Sequence, residues 1–86
     1  MTKQSIVSNL RNISSSFSSS YRKDNDEHVL MFNSRDGKIF SIDTKGGTIY
    51  CNSIRVDNTN LIDFINDGKI IAILNCSFVE KIEFLV

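Results

Sequence analysis

Two short stretches of this chain, residues 29–32 and 70–74, are apolar at consecutive positions, so a strand built from either leaves no face for water. Strands of that kind are covered on both sides. The second cover comes from helices on opposite faces of an open sheet, from a sheet curled into a small barrel, or from a partner chain. At 86 residues the chain holds a single α+β domain, residues 1–86. A domain of that size buries roughly 60 to 65% of the surface its unfolded form exposes. It has material for one core and little for a deep cleft besides.

The palette is rich in Ile and Phe, has alanine only at Ala72, and lacks proline and tryptophan, which leans toward strands. Residues 28–33 form the first apolar run. Residues 38–43 alternate, with Phe40 and Ile42 facing one way. Residues 48–56 predict the longest strand, with Tyr50, Ile54 and Val56 on one face and Ile49 and Cys51 on the other. Ser34-Arg35-Asp36-Gly37 and Thr44-Lys45-Gly46-Gly47 supply short turns between them, so the three strands read as a meander. Residues 69–74 and 78–86 add two more.

Helices are expected in two places. Ile6, Leu10, Ile13, Phe17 and Tyr21 recur every three or four positions across residues 3–21. Leu61, Ile62, Phe64 and Ile65 follow Asn60, an N-cap type, and precede Gly68, placed as a left-handed C-cap. The expected order is α-β-β-β-α-β-β around a mostly antiparallel five-stranded sheet, open or curled into a small barrel.

Composition and motifs exclude more chemistry than they suggest. Ten basic and ten acidic residues cancel, and electrostatic affinity for nucleic acid grows with the phosphates a protein neutralises. Arg35, Lys38 and Lys45, near the hairpin ends, are weak candidates for anion contacts, diluted by Asp36 and Asp43. Asp24, Asp26 and His28, two apart in an extended segment, point the same way and carry metal-ligand chemistry. A solvated charged loop is the stronger reading, and no metal or other cofactor is expected. Cys51 and Cys76 lie in apolar settings that suit buried free thiols. Neither has an activating base or an orienting third group nearby in sequence. Gly46-Gly47 precedes no helix and so offers no phosphate cradle. Phe32, Phe40 and Tyr50 share strand faces with aliphatic residues, which favours core packing over base stacking. No catalytic residue emerges, and an enzyme is not expected.

The N-terminal region lacks a signal-peptide apolar core, and no run approaches a membrane span, so a cytoplasmic protein is expected. The abundance of Ile, Asn, Ser and Lys suits an AT-rich bacterial or mobile-element genome. The expectation is a non-enzymatic protein-interaction module, a small regulator or inhibitor that covers a partner's surface. An oligomer binding a small ligand or nucleotide, and a small barrel binding nucleic acid, are the alternatives. A homodimer is expected through the last strand or a sheet face beside it, with Val79, Lys81, Glu83 and Leu85 at the interface, because an edge strand with few charges invites pairing with a second copy.

Overall fold

The computed structural model describes residues 1–14, 16–22, 27–34 and 38–85, with the side chains of residues 16, 17, 19–22 and 27 outside the description. Helix α1 (Lys3–Ile13) leads into β1 (Ser16–Arg22), β2 (Glu27–Asn33), β3 (Ile39–Thr44), β4 (Gly47–Cys51), β5 (Ser53–Val56), β6 (Leu61–Asn66) and β7 (Lys69–Asn75). A single 3₁₀ turn, Cys76–Phe78, then precedes β8 (Val79–Leu85). Every pairing is antiparallel, in one sheet of order β1-β2-β5-β6-β7 and a second of order β4-β3-β8. The α+β class and a five-stranded sheet are therefore present. The small barrel is not: two open sheets face each other across one core, and the order of elements differs from the expected one.

Helix α1 forms because Thr2 caps it, its hydroxyl accepting from the Ser5 amide at 3.1 Å. Ile6 and Leu10, one turn apart, are fully buried, and Ile13 packs beside them. The expected helix over residues 3–21 stops eight residues early. At Ser14 the amide still bonds the Leu10 carbonyl at 2.8 Å, but the backbone is already extended. The serine run beyond it has middling helix propensity, and residues 17, 19 and 21 fit a period of two as well as 17 and 21 fit a period of four. Pairing β1 with β2 decides between them. The expected core role of Phe17 concerns a side chain outside the described residues.

The meander is also corrected. β2 and β3 belong to different sheets, and residues 48–56 are two strands broken at Asn52. Cys51 and Ile54 are both fully buried, although residues three apart on one continuous strand point to opposite faces. The kink at Asn52 resets the alternation as the chain passes from the smaller sheet to the larger. Tyr50, expected among the core residues, therefore faces solvent. The β2-to-β3 crossing lies alongside, since the Ser34 amide donates to the Asn52 carbonyl at 2.9 Å. Asn52 also exchanges side-chain bonds with Asp67: its Nδ2 donates to Asp67 Oδ1 at 3.0 Å, and the Asp67 amide donates to its Oδ1 at 3.1 Å.

The expected second helix is a strand. β6 sends Ile62 and Phe64 into the core, and Asp63 points the other way to meet Arg55 on β5. Asp67 (φ 51°) and Gly68 (φ 80°) make the two-residue turn into β7. Positive φ at both positions is the hairpin turn that Asp-Gly favours, and it won over the helix C-cap that Gly68 also fits. Around the core, Phe32, Ile54, Val56, Ile62 and Phe64 of the larger sheet meet Phe40, Ile42, Cys51, Val79 and Ile82 of the smaller. Phe40 stacks on Phe84 with ring centroids 4.8 Å apart. Helix α1 extends the smaller layer beside β8, its start held by the Met1 amino group, which donates to the carbonyls of Cys76 and Val79.

Because Leu10 is fully enclosed, Leu10→Ala is expected to cost about 3 kcal/mol, as buried leucine truncations do. Denaturant unfolding of the variant beside the parent measures it, and an unchanged midpoint would show α1 to be a loose arm.

Candidate functional site

The larger sheet has two unlike faces. Successive residues alternate, so the inner rows run Phe32, Ile54, Phe64, Ala72 and Leu30, Val56, Ile62, Leu74 across β2, β5, β6 and β7. The row between them, Met31, Arg55, Asp63, Ile73, lies on the outer face. Arg55 donates from Nε to Asp63 Oδ2 at 2.8 Å and from Nη2 to the same oxygen. Asp63 is only 6% exposed although it stands on the outer face, because neighbouring side chains enclose it.

Large apolar residues surround that ion pair. Leu61 is 46% exposed, and on β7 Ile70, Ile71 and Ile73 are 52%, 49% and 52% exposed. Three isoleucines are open on one strand because the ladder slips. Phe64 faces Ala72, but the next rung pairs Ile65 with Ile70, leaving Ile71 as an extra, bulged residue. β7 is also the edge of its sheet. The turn before β6 is set by Asp57, whose carboxylate accepts from the Thr59 amide at 2.8 Å and hydroxyl at 2.6 Å. Burial pushes that carboxyl up, but the Thr59 bonds, with Lys3 and Arg55 nearby, outweigh it and hold the group below its ordinary range.

The outer face of the smaller sheet is more polar, with Leu85 opposite Ile39 at one end. Tyr50, Ser41 and Glu83 form one row and Thr48, Asp43 and Lys81 the next. Thr48 donates to Asp43 at 3.1 Å, and Lys81 pairs with Glu83, whose hydrogen bond raises the lysine above its ordinary value.

The expected interface residues scatter accordingly. Val79 is fully buried, because the ladder to β3 skips Glu80: Lys81 faces Asp43 and Val79 faces Thr44. That slip turns Val79 inward, away from Lys81 and Glu83, while Leu85 stays 41% exposed. Lys38 and Lys45 flank opposite ends of β3 and do not cluster, and Arg35 lies outside the described residues. His28 is exposed on β2, whereas Asp24 and Asp26 lie outside the description. Among the described residues no group of three His, Cys, Asp or Glu side chains comes together to hold a metal, and no helix is long and apolar enough to cross a membrane. Both thiols are free, Cys51 buried and Cys76 partly so. Burial pushes the Cys51 thiol up to about 11, against backbone bonds from Ser53 and Ile65 that pull it down.

Sequence reasoning missed the Arg55–Asp63 pair and the role of Leu61. A lone aspartate amid Leu61, Ile62, Phe64 and Ile65 was the available signal, and the helix assignment absorbed it. No family model, curated protein or solved structure matches the chain.

Arg55→Met strips the partner from an enclosed carboxylate and is expected to destabilise the fold by about 2 kcal/mol, discounted because the Arg55 side chain is 38% exposed. The double variant Arg55→Met/Asp63→Leu is expected to recover most of that loss in the same unfolding measurement.

The raised Cys51 pKa means its share of stability is complete below pH 9 and falls as pH climbs from about 9 toward 11. A pH series of melting temperatures should show this alkaline loss in the parent and a smaller one in Cys51→Ala. In native buffer at pH 8, iodoacetamide should label Cys76 slowly and Cys51 only after denaturation.

Proposed function

We propose that this protein is a non-enzymatic interaction module, a small cytoplasmic regulator or inhibitor that works by covering a partner protein with the outer face of its larger sheet. The observation that carries this reading is the half-exposed group Leu61, Ile70, Ile71 and Ile73 around an enclosed ion pair, on a domain whose other outer face is more polar, with Tyr50 and Leu85 as its exposed large apolar residues. Contiguous apolar surface rimmed by polar residues is where soluble proteins bind one another. Asp63 is already withdrawn from water, so a partner that covers the face adds little to its desolvation cost. The half-exposed Arg55 guanidinium gives a directional contact to any acceptor the partner presents, which supplies specificity beyond area.

The alternatives have less support. Nucleic-acid binding draws on a basic stripe, and Lys38 and Lys45 stand at opposite ends of a strand. A ligand between subunits needs convergent polar groups, and the larger sheet's exposed outer face offers mainly aliphatic surface.

Leu61→Lys places a charge on the face without touching the core. In capture experiments from the native host, the parent should retain one dominant protein and Leu61→Lys should lose it by at least about tenfold in affinity. Thr48→Lys, on the polar face of the other sheet, should retain it. Equal retention by Leu61→Lys would overturn the assignment of this face.

A further inference from the structure

Among the described residues β7 is one of the two edges of that sheet, with no strand paired beyond it. The Cys76 amide donates to the Asn60 carbonyl at 2.8 Å. Antiparallel ladders alternate, so Leu74 and Ala72 also turn their main-chain groups toward β6, while those of Ile73 and Asn75 point away from the sheet. An edge like this pairs with another strand unless charges, proline or cover protect it. The other edges carry such devices or little apolar surface. β8 holds Glu80, Lys81 and Glu83 and lies against α1, β4 is short and begins at Gly47, and β1 is mostly serine. On β7 the only charge is Lys69, at the turn end.

The strand also complements itself. A two-fold axis at Ile73 sets Ile73 against its own copy, Ile71 against Asn75 and Ala72 against Leu74. Ile73 and Asn75 are the residues whose main-chain groups point outward, so the ladder bonds of the central Ile73 pair are available, with the bulged Ile71 at each end of the paired segment. On the inner face, Ala72 and Leu74 are each partly buried at the margin of the core, and the axis places small against large there. No like charges meet, because Lys69 falls beyond the paired segment, and the bulge at Ile71 marks the end of its regular part.

We infer that β7 pairs antiparallel with β7 of a second copy around Ile73, joining the two larger sheets into one ten-stranded sheet. The contact maps the edge onto itself and closes at two copies. This rests on the interaction reading above and deepens it, since the dimer lays two Arg55–Asp63 pairs and their apolar borders along one continuous face. The expected homodimer thus moves from β8 to β7.

Light scattering at micromolar concentration should give about twice the 9.7 kDa chain mass. Ile73→Lys should give the monomer mass with unchanged circular dichroism, and Leu85→Lys should remain a dimer. Should Ile73→Lys fail to fold, Ile73→Cys serves instead: opposed Cα atoms of a hydrogen-bonded pair lie about 5.5 Å apart, within disulfide reach. Mild oxidation should link it into a covalent dimer on a non-reducing gel, with the parent and Thr48→Cys unlinked. A monomeric parent, a dimer that survives Ile73→Lys, a dimer dispersed by Leu85→Lys, or Ile73→Cys that fails to link would each overturn the inference. The two readings fail separately. A monomer that still captures a host protein through Leu61 sinks the dimer alone, and a β7 dimer whose capture ignores Leu61→Lys sinks the face alone.

Discussion

At Asn52 one residue ties together three connections that are distant in sequence. Its carbonyl accepts from Ser34, where the chain leaves the larger sheet, and its side chain bonds Asp67 in both directions, in the turn that joins β6 to β7. Asn52 itself is where the chain returns from the smaller sheet. Each bond is worth only about 1 kcal/mol on its own. Their joint effect is to hold the register on both sides of the crossing. A slip of one residue would turn Ile54 and Val56 outward and bring Arg55 into the core. The packing of two sheets on one cluster of side chains depends on that corner staying in place.

The division of the sheet surfaces follows from it. Because the alternation restarts at Asn52, Cys51 and Ile54 both reach the core, and the residues between the inward ones are dealt to two different outer faces. Ser41, Thr48 and Asp43 fall on one, with charged Lys81 and Glu83. Arg55 and Asp63 fall on the other, among aliphatic neighbours. An enclosed carboxylate on a sheet's outer surface is costly unless its partner stays close. Arg55 meets that need through two donors to one oxygen. The fold thus tolerates a polar pair in the middle of its most apolar surface.

Much of this was legible in the sequence. The strands over residues 28–33, 38–43 and 69–74 lie where the apolar runs and turn signals put them. So does the first part of the N-terminal helix, through the Ile6–Leu10 spacing. The two misread helical segments share one cause: a short apolar segment fits more than one period. Phe17 and Tyr21 suit a helix and a strand alike, and so does the segment from Leu61 to Ile65. The choice is made by which strand offers a ladder, and that is information held in distant residues. Asp67-Gly68 was the decisive local cue for the second case, since the pair suits a hairpin turn better than a helix end. The double-faced apolar run at residues 70–74 was expected to be covered on both sides, and the structure leaves Ile70, Ile71 and Ile73 exposed on the outer one. The slips at Ile71 and Glu80 were beyond reach, because a bulge is set by the mismatch of two paired strands and leaves no mark in either alone.

The order of the strands has a kinetic side. β1–β2, β3–β4, β5–β6 and β6–β7 join neighbours in the chain, and local hairpins of this kind close in microseconds. The β2–β5 pairing spans β3 and β4, and the longest-range pairing is in the smaller sheet, where β3 waits for β8 from the far end of the chain, with Phe40 opposite Phe84. Long-range pairings of that sort slow the passage to the native state. Until β8 arrives, one side of Phe40 and Ile42 and the docking place of α1 stay open. The larger sheet can assemble during that interval, presenting the β7 edge while the rest of the molecule is incomplete. A chain released before its last strand would therefore expose the inside of one layer and the rim of the other together, the condition under which small β proteins aggregate.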